Sequence, residues 1–134
     1  MKASELMIGD WVDDGGENAR VTSLTCDGII ETTRRISNIE VVEPIHLTSE
    51  ILEKNGFTCC NEDDDGSIQY EFGTDDLGVD VWLNTPDGIC LLGAWRRWEN
   101  CDKVYTMIEE LPIRFIHELQ HALKLCGIDK EIVL

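Results

Sequence analysis

His117-Glu118-Leu119-Gln120-His121 is the string in this chain whose residue types and spacing could do chemistry. Two histidines four apart on a helix share a face and can bind one zinc ion. The glutamate between them can then act as base on the metal-bound water. Such a site takes a third protein ligand and keeps one position open. The chain offers little for that ligand. The only other histidine is His46, and the 13 residues after His121 hold Asp129 and Glu131. The longer H-E-x-x-H-x-x-G-x-x-H form is not met, with Lys124 at its glycine position and Gly127 at its last histidine. Helical periodicity puts Ile116, Leu119, Ala122, Leu123 and Cys126 on one arc, and His117 and His121 opposite, with Arg114 and Lys124. The string is therefore expected to face solvent, with no catalytic or metal role and no cofactor. A zinc-dependent metallopeptidase using His117, Glu118 and His121 is the enzymatic alternative.

Two more clusters carry reactive or sticky side chains. Asn61-Glu62-Asp63-Asp64-Asp65-Gly66 resembles the start of a calcium loop, but the closing glutamate of such a loop falls at Phe72, and Glu71 is one short. Its flanks alternate as strands do, so an acidic hairpin tip is expected, with weak calcium binding as the alternative. Trp95-Arg96-Arg97-Trp98 is a basic-aromatic cluster in an acidic protein. Trp and Arg are the types enriched where partners bind, which makes Trp95, Arg96, Arg97 and Trp98 the candidate partner contacts. Trp82 falls on the nominally outer face of its strand and could join them in an aromatic patch.

Charge narrows the partner class. With 11 basic and 27 acidic residues the formal net charge is −16. No Lys or Arg occurs from Asn55 through Trp95, where Glu62, Asp63, Asp64, Asp65, Glu71, Asp75, Asp76, Asp80 and Asp87 all fall. One-signed surface of this kind repels nucleic-acid phosphate and anionic lipid, so neither direct nucleic-acid nor membrane binding is expected. A protein partner fits better, and a basic one would be attracted to such a surface. A second alternative is an acidic decoy that occupies a nucleic-acid-binding protein, which requires the carboxylates of 62–87 to line one face. No apolar run is long enough to span a bilayer, and Met1 to Leu6 lacks the apolar stretch of a secretory signal. A cytoplasmic protein with six reduced cysteines is expected, and none of these stands as C-x-x-C.

The elements that must position these residues read as α+β. Short strands are expected at Ile8–Val12, Ala19–Leu24, Ile29–Thr32 and Ile39–Glu43, broken by Asp13-Asp14-Gly15-Gly16 and Asp27-Gly28. A short helix follows, with Thr48 as its cap and Gly56 at its end. Alternation at Ile68–Phe72 and Val79–Leu83 starts a meander, and Thr85-Pro86-Asp87-Gly88 is a turn signal leading to a strand at 89–92. Lys103 to Met107 could add another strand. Pro112 suits a first helical turn, and Gly127 ends the last helix, whose apolar side is expected to cover the meander.

Several blocks together carry a resemblance. They are Met1-Lys2-Ala3-Ser4-Glu5-Leu6-Met7-Ile8-Gly9-Asp10-Trp11-Val12, then Pro44 with Leu47 through Phe57, and Ile116 through Ile128. The chain resembles a family of small uncharacterised proteins from gut anaerobic bacteria and their phages or mobile elements, a resemblance that implies no activity. The Ile8-Gly9-Asp10-Trp11-Val12 opening also looks like the first strand of SH3-like barrels. The expected organisation is a small SH3-like β-barrel over 1–45, then a helix–antiparallel meander–helix unit over 46–134. The expected function is that of a non-enzymatic accessory or protein-interaction protein.

Overall fold

The computed structural model describes residues 1–85, 89–97 and 104–134. Among these residues ten strands form two antiparallel sheets, accompanied by two α-helices, so the protein is α+β and mostly strand. The expected turn at 85–88 and the start of the strand at Lys103 lie partly outside the described residues, and Trp98 and Cys101 lie wholly outside them. The chain divides into two compact units, residues 1–46 with 115–120, and residues 47–114 with 121–134.

In the first unit β1 (Trp11–Asp14), β2 (Asn18–Leu24), β3 (Ile29–Thr32), β4 (Ile36–Asn38) and β5 (Val42–Pro44) pair in the order β4-β3-β2-β1-β5. The sheet is open, with β4 and β5 as its two edges. Val12, Val21, Ile30 and Val42 point to one side and pack with Leu6 into a core. Each such side chain contributes about 1.5–3 kcal/mol by leaving water. Two expectations fail here. Ile8 is exposed and lies before the strand, because residues 7–10 close a turn in which the Met7 N–H donates to Asp10 Oδ2 at 2.7 Å. The period-two run 39–43 is not one strand either. Asn38 accepts from the Glu40 N–H at 2.9 Å and caps a 3-10 turn over Ile39–Val41, so pairing resumes only at Val42.

Asp14 ties this sheet together. Its carboxylate is fully buried and accepts from Thr32 Oγ1 at 2.8 Å, Arg35 Nε at 3.0 Å and Ser37 Oγ at 3.1 Å. Burial works to raise its pKa, but the bonds from Arg35, Thr32 and Ser37 and the Arg35 charge outweigh it and hold the group below 3.8.

In the second unit α1 (Ser49–Lys54) starts at Thr48, whose Oγ1 accepts from the Ile51 N–H at 3.3 Å. Gly56 takes a φ of 84° after it, a conformation that costs glycine little. β6 (Thr58–Glu62), β7 (Ile68–Gly73), β8 (Leu77–Leu83), β9 (Cys90–Arg97) and β10 (Val104–Ile113) pair in sequence order. Tyr70, Val79, Val81, Leu83, Leu92 and Ala94 form the buried inner face, and Leu52, Phe57, Ala122, Leu123 and Ile132 are buried in the same unit. The second fixed point is Asn55, whose side chain bonds both the N–H and the carbonyl of Val133 and so holds the last residues to the end of α1.

The last helix, α2, spans Ile116–Leu125. Pro112 does not open it. It lies in β10 opposite Leu91, on the edge of the sheet, where a missing N–H is tolerated. Among the described residues no helix is long and apolar enough to cross a membrane.

Candidate functional site

Of the H-E-L-Q-H string, His117 to Gln120 belong to the first unit and His121 to the second. Its histidines do not lie together on a solvent face, as periodicity led us to expect: His117 is 4% exposed, while His121 is half-buried. The periodicity argument fails because the start of α2 is covered on a wide arc. Ile116, His117, Leu119 and Gln120 are all buried, leaving Glu118 as the least covered residue of that turn. His117 stacks on Phe115 with ring centres 5.6 Å apart, and His46 meets the same ring edge-on at 5.0 Å. Glu118 Oε1 accepts from the Phe115 N–H at 3.1 Å and so caps its own helix. Gln120, at the variable position of the motif, clamps β1: its Oε1 accepts from the Trp11 N–H at 2.9 Å and its Nε2 donates to the Gly9 carbonyl at 3.2 Å. Among the described residues no three or more His, Cys, Asp or Glu side chains are arranged to hold a metal ion.

The acidic string 61–66 is the tip of the β6–β7 hairpin. Asp63 and Asp65 accept hydrogen bonds inside the turn, from Asn61 Nδ2 and from the Ser67 N–H and hydroxyl. Among the described residues the carboxylates of 62–80 fall into separate places, and Asp87 lies outside the described residues. Asp63–Asp65 sit at one end of β7, Asp75 and Asp76 at the other, and Glu71 and Asp80 midway on the sheet's outer face.

That outer face holds a concavity. Register places the residues in rows. Trp82 lies opposite Leu91 and Gln69, Asp80 opposite Gly93 and Glu71, and Gly78 opposite Trp95. Trp82 and Trp95 therefore stand on either side of the Asp80–Gly93 row, about 13 Å apart along the strands by their rise. Between them lies an open slot of about 440 Å³, bordered on the β10 side by Thr106, Ile108, Glu109 and Glu110. Its volume falls within the range of about 300–1,000 Å³ usual for ligand clefts.

Two glycines shape the slot. A side chain at Gly78 would run into the Trp95 indole, with Cε2 2.7 Å from the Cβ position, so glycine lets that ring lie flat over β8. At Gly93 a Cβ would lie 3.2 Å from the Glu109 carbonyl oxygen and 3.5 Å from that of Ile108. The pairing of β9 with β10 slips between Thr106 and Ile108 and again before Leu111. The irregular stretch between these points brings backbone acceptors to the edge of the space that Gly93 leaves open.

Asp80 supplies the charge at the floor. Burial pushes its pKa up, the neighbouring Glu71 carboxylate adds to the shift, and a hydrogen bond from Gln69 partly offsets them. Asp80 Oδ1 is buried and has no hydrogen-bond partner among the described residues. Of the candidate contacts read from sequence, Trp95 is half-buried beside the slot and Arg97 shares its face, whereas Arg96 is exposed on the opposite side of β9. Trp98 lies outside the described residues. Asp80, Gly93 and the Glu109–Glu110 segment were missed in the sequence. The one available signal was a glycine in the middle of a strand, which marks close backbone approach. Compared with protein-family models, curated proteins and solved structures, the chain finds no match.

Proposed function

We propose that this is a non-enzymatic interaction protein, of the accessory kind found in phages and mobile elements, and that it meets a protein partner through the outer face of its second sheet. The observation that carries this reading is the pair of half-buried tryptophans, Trp82 and Trp95, set on one open sheet face around a slot. A half-covered indole keeps apolar area to lose on docking, and tryptophan dominates binding energy where partners meet. The resemblance of the chain's ends and centre to proteins of gut anaerobes and their mobile elements supports the accessory role.

The first unit is read as SH3-like. Its strand order, with β5 returning beside β1 after a 3-10 turn, supports that analogy, while its edges β4 and β5 stay unpaired. The analogy concerns fold alone. Affinity capture from lysates of gut anaerobic bacteria, with the whole chain as bait, tests the interaction. Trp82→Ala with Trp95→Ala should weaken a captured partner by more than about 2 kcal/mol per hot-spot indole. If every captured protein stays on the doubly substituted bait, the outer face is not the contact surface.

A further inference from the structure

The slot's chemistry is selective. Its borders include three carboxylates, Asp80, Glu109 and Glu110, a hydroxyl from Thr106 and two indoles, with no cation among the described lining residues. Glu71 adds a fourth carboxylate beside Asp80, and among the described residues Arg97 is a cation on the same face, two residues beyond Trp95 on β9. The backbone oxygens of Ile108 and Glu109 approach the gap over Gly93, so the acceptors come from both side chain and main chain. A site made of acceptors and negative charge, walled by indole faces, is complementary to an organic cation that donates hydrogen bonds.

Between the two common cationic side chains the geometry favours arginine. A guanidinium is planar, presents five donors in a fixed fork, is weakly hydrated and lies flat on an aromatic face. An ammonium is compact and strongly hydrated, and has three donors. Asp80 Oδ1 is buried with no hydrogen-bond partner among the described residues, which leaves it an acceptor to satisfy, and the Glu109 and Ile108 carbonyls approach Gly93, which pairs with Asp80. Resting on the interaction reading above, we infer that the Trp82–Asp80–Trp95 slot receives an arginine side chain from a basic segment of the partner. The acidic character of the whole chain, at −16, draws such a segment in. Burial and the Glu71 carboxylate push the Asp80 pKa up, and a cation that pairs with Asp80 opposes that shift.

The test uses the full chain and three synthetic peptides that differ at one position: acetyl-Gly-Arg-Gly-amide, its lysine twin, and its citrulline twin, which keeps the shape without the charge. The readout is the set of indole N–H resonances, assigned with Trp82→Phe and Trp95→Phe. The arginine peptide should move the Trp82 and Trp95 signals, leave Trp11 in place and saturate. The citrulline twin and the Asp80→Asn variant should each bind about tenfold or more weaker, the lysine twin by a smaller factor. Asp80→Asn preserves shape, and its melting curve verifies folding. Equal binding of arginine and citrulline, or unchanged binding in Asp80→Asn, overturns the cation assignment and leaves the interaction surface standing. No movement of either indole at millimolar arginine peptide also overturns it. The capture experiment with the double tryptophan variant fails separately, and only that failure removes the surface itself.

Discussion

Replacing Gln120 by alanine should destabilise the first unit by about 2–4 kcal/mol. The figure follows from what the amide does. It is 9% exposed, accepts from the Trp11 N–H at 2.9 Å and donates to the Gly9 carbonyl at 3.2 Å. A neutral hydrogen bond contributes about 0.5–1.5 kcal/mol net, and stranding a buried polar group costs about 1–3 kcal/mol. The Gly9 carbonyl keeps a second donor, Arg20 Nε at 3.2 Å, so most of the penalty falls on the Trp11 N–H. Loss of a buried methylene adds about 0.8 kcal/mol. Gln120→Glu refines the argument. Its carboxylate can still accept from Trp11 but turns an oxygen toward the Gly9 carbonyl, an arrangement that raises its pKa in the folded state. The variant should therefore be weakest at neutral pH and recover as pH falls and the new group gains a proton. Urea unfolding gives the energy, and amide hydrogen exchange at Trp11 reports the site. In a zinc-peptidase helix this position is a free one, so the same substitution would be tolerated there. A loss below about 0.5 kcal/mol with unchanged Trp11 exchange would refute the clamp.

Four further outcomes are expected. Asp14→Ala should cost about 2–4 kcal/mol, because a buried carboxylate that accepts from three side chains is removed. Since its folded pKa lies below 3.8, its stabilisation is present above that pH and is lost as pH falls through the folded value, so the gap between wild type and Asp14→Asn should close in acid urea titrations. Asp80 has the opposite sign: its raised folded pKa lowers stability as pH rises through that value, so Asp80→Asn should melt higher than wild type at pH near 7, and no higher once the pH falls below 3.8. Gly78→Ala should lift the Trp95 indole, cost about 1–3 kcal/mol and shift the tryptophan emission, whereas an unmoved spectrum would mean the ring does not lie over β8. Asn55→Ala should cost about 2–3 kcal/mol and speed exchange of the Val133 amide, which loses its 2.7 Å acceptor.

Much of the architecture was legible because it rests on local rules. The alternation at 68–72 and 79–83 became β7 and β8, Thr48 capped its helix, and Gly56 ended it with positive φ. Errors came where distant pairing or a local cap overrode the apparent pattern. Pro112 reads as a helix start but pairs with Leu91 in an edge strand, and Ile39–Glu43 alternates like a strand but begins with a capped turn. His117 shows the same limit, since an arc of helical positions says which side is apolar but not how wide the covering will be.

The amino-acid order by itself determined the α+β class, the acidic field without a cation from 55 to 95, and the amphipathic elements, since charge and periodicity are properties of neighbours along the chain. Only the tertiary structure decided that Gln120 holds Trp11, that Asp14 gathers Thr32, Arg35 and Ser37, and that Trp82 and Trp95 frame Asp80 over Gly93. These sites depend on strand register and on a slipped edge pairing, and register brings together residues whose separation in sequence carries no trace of their contact.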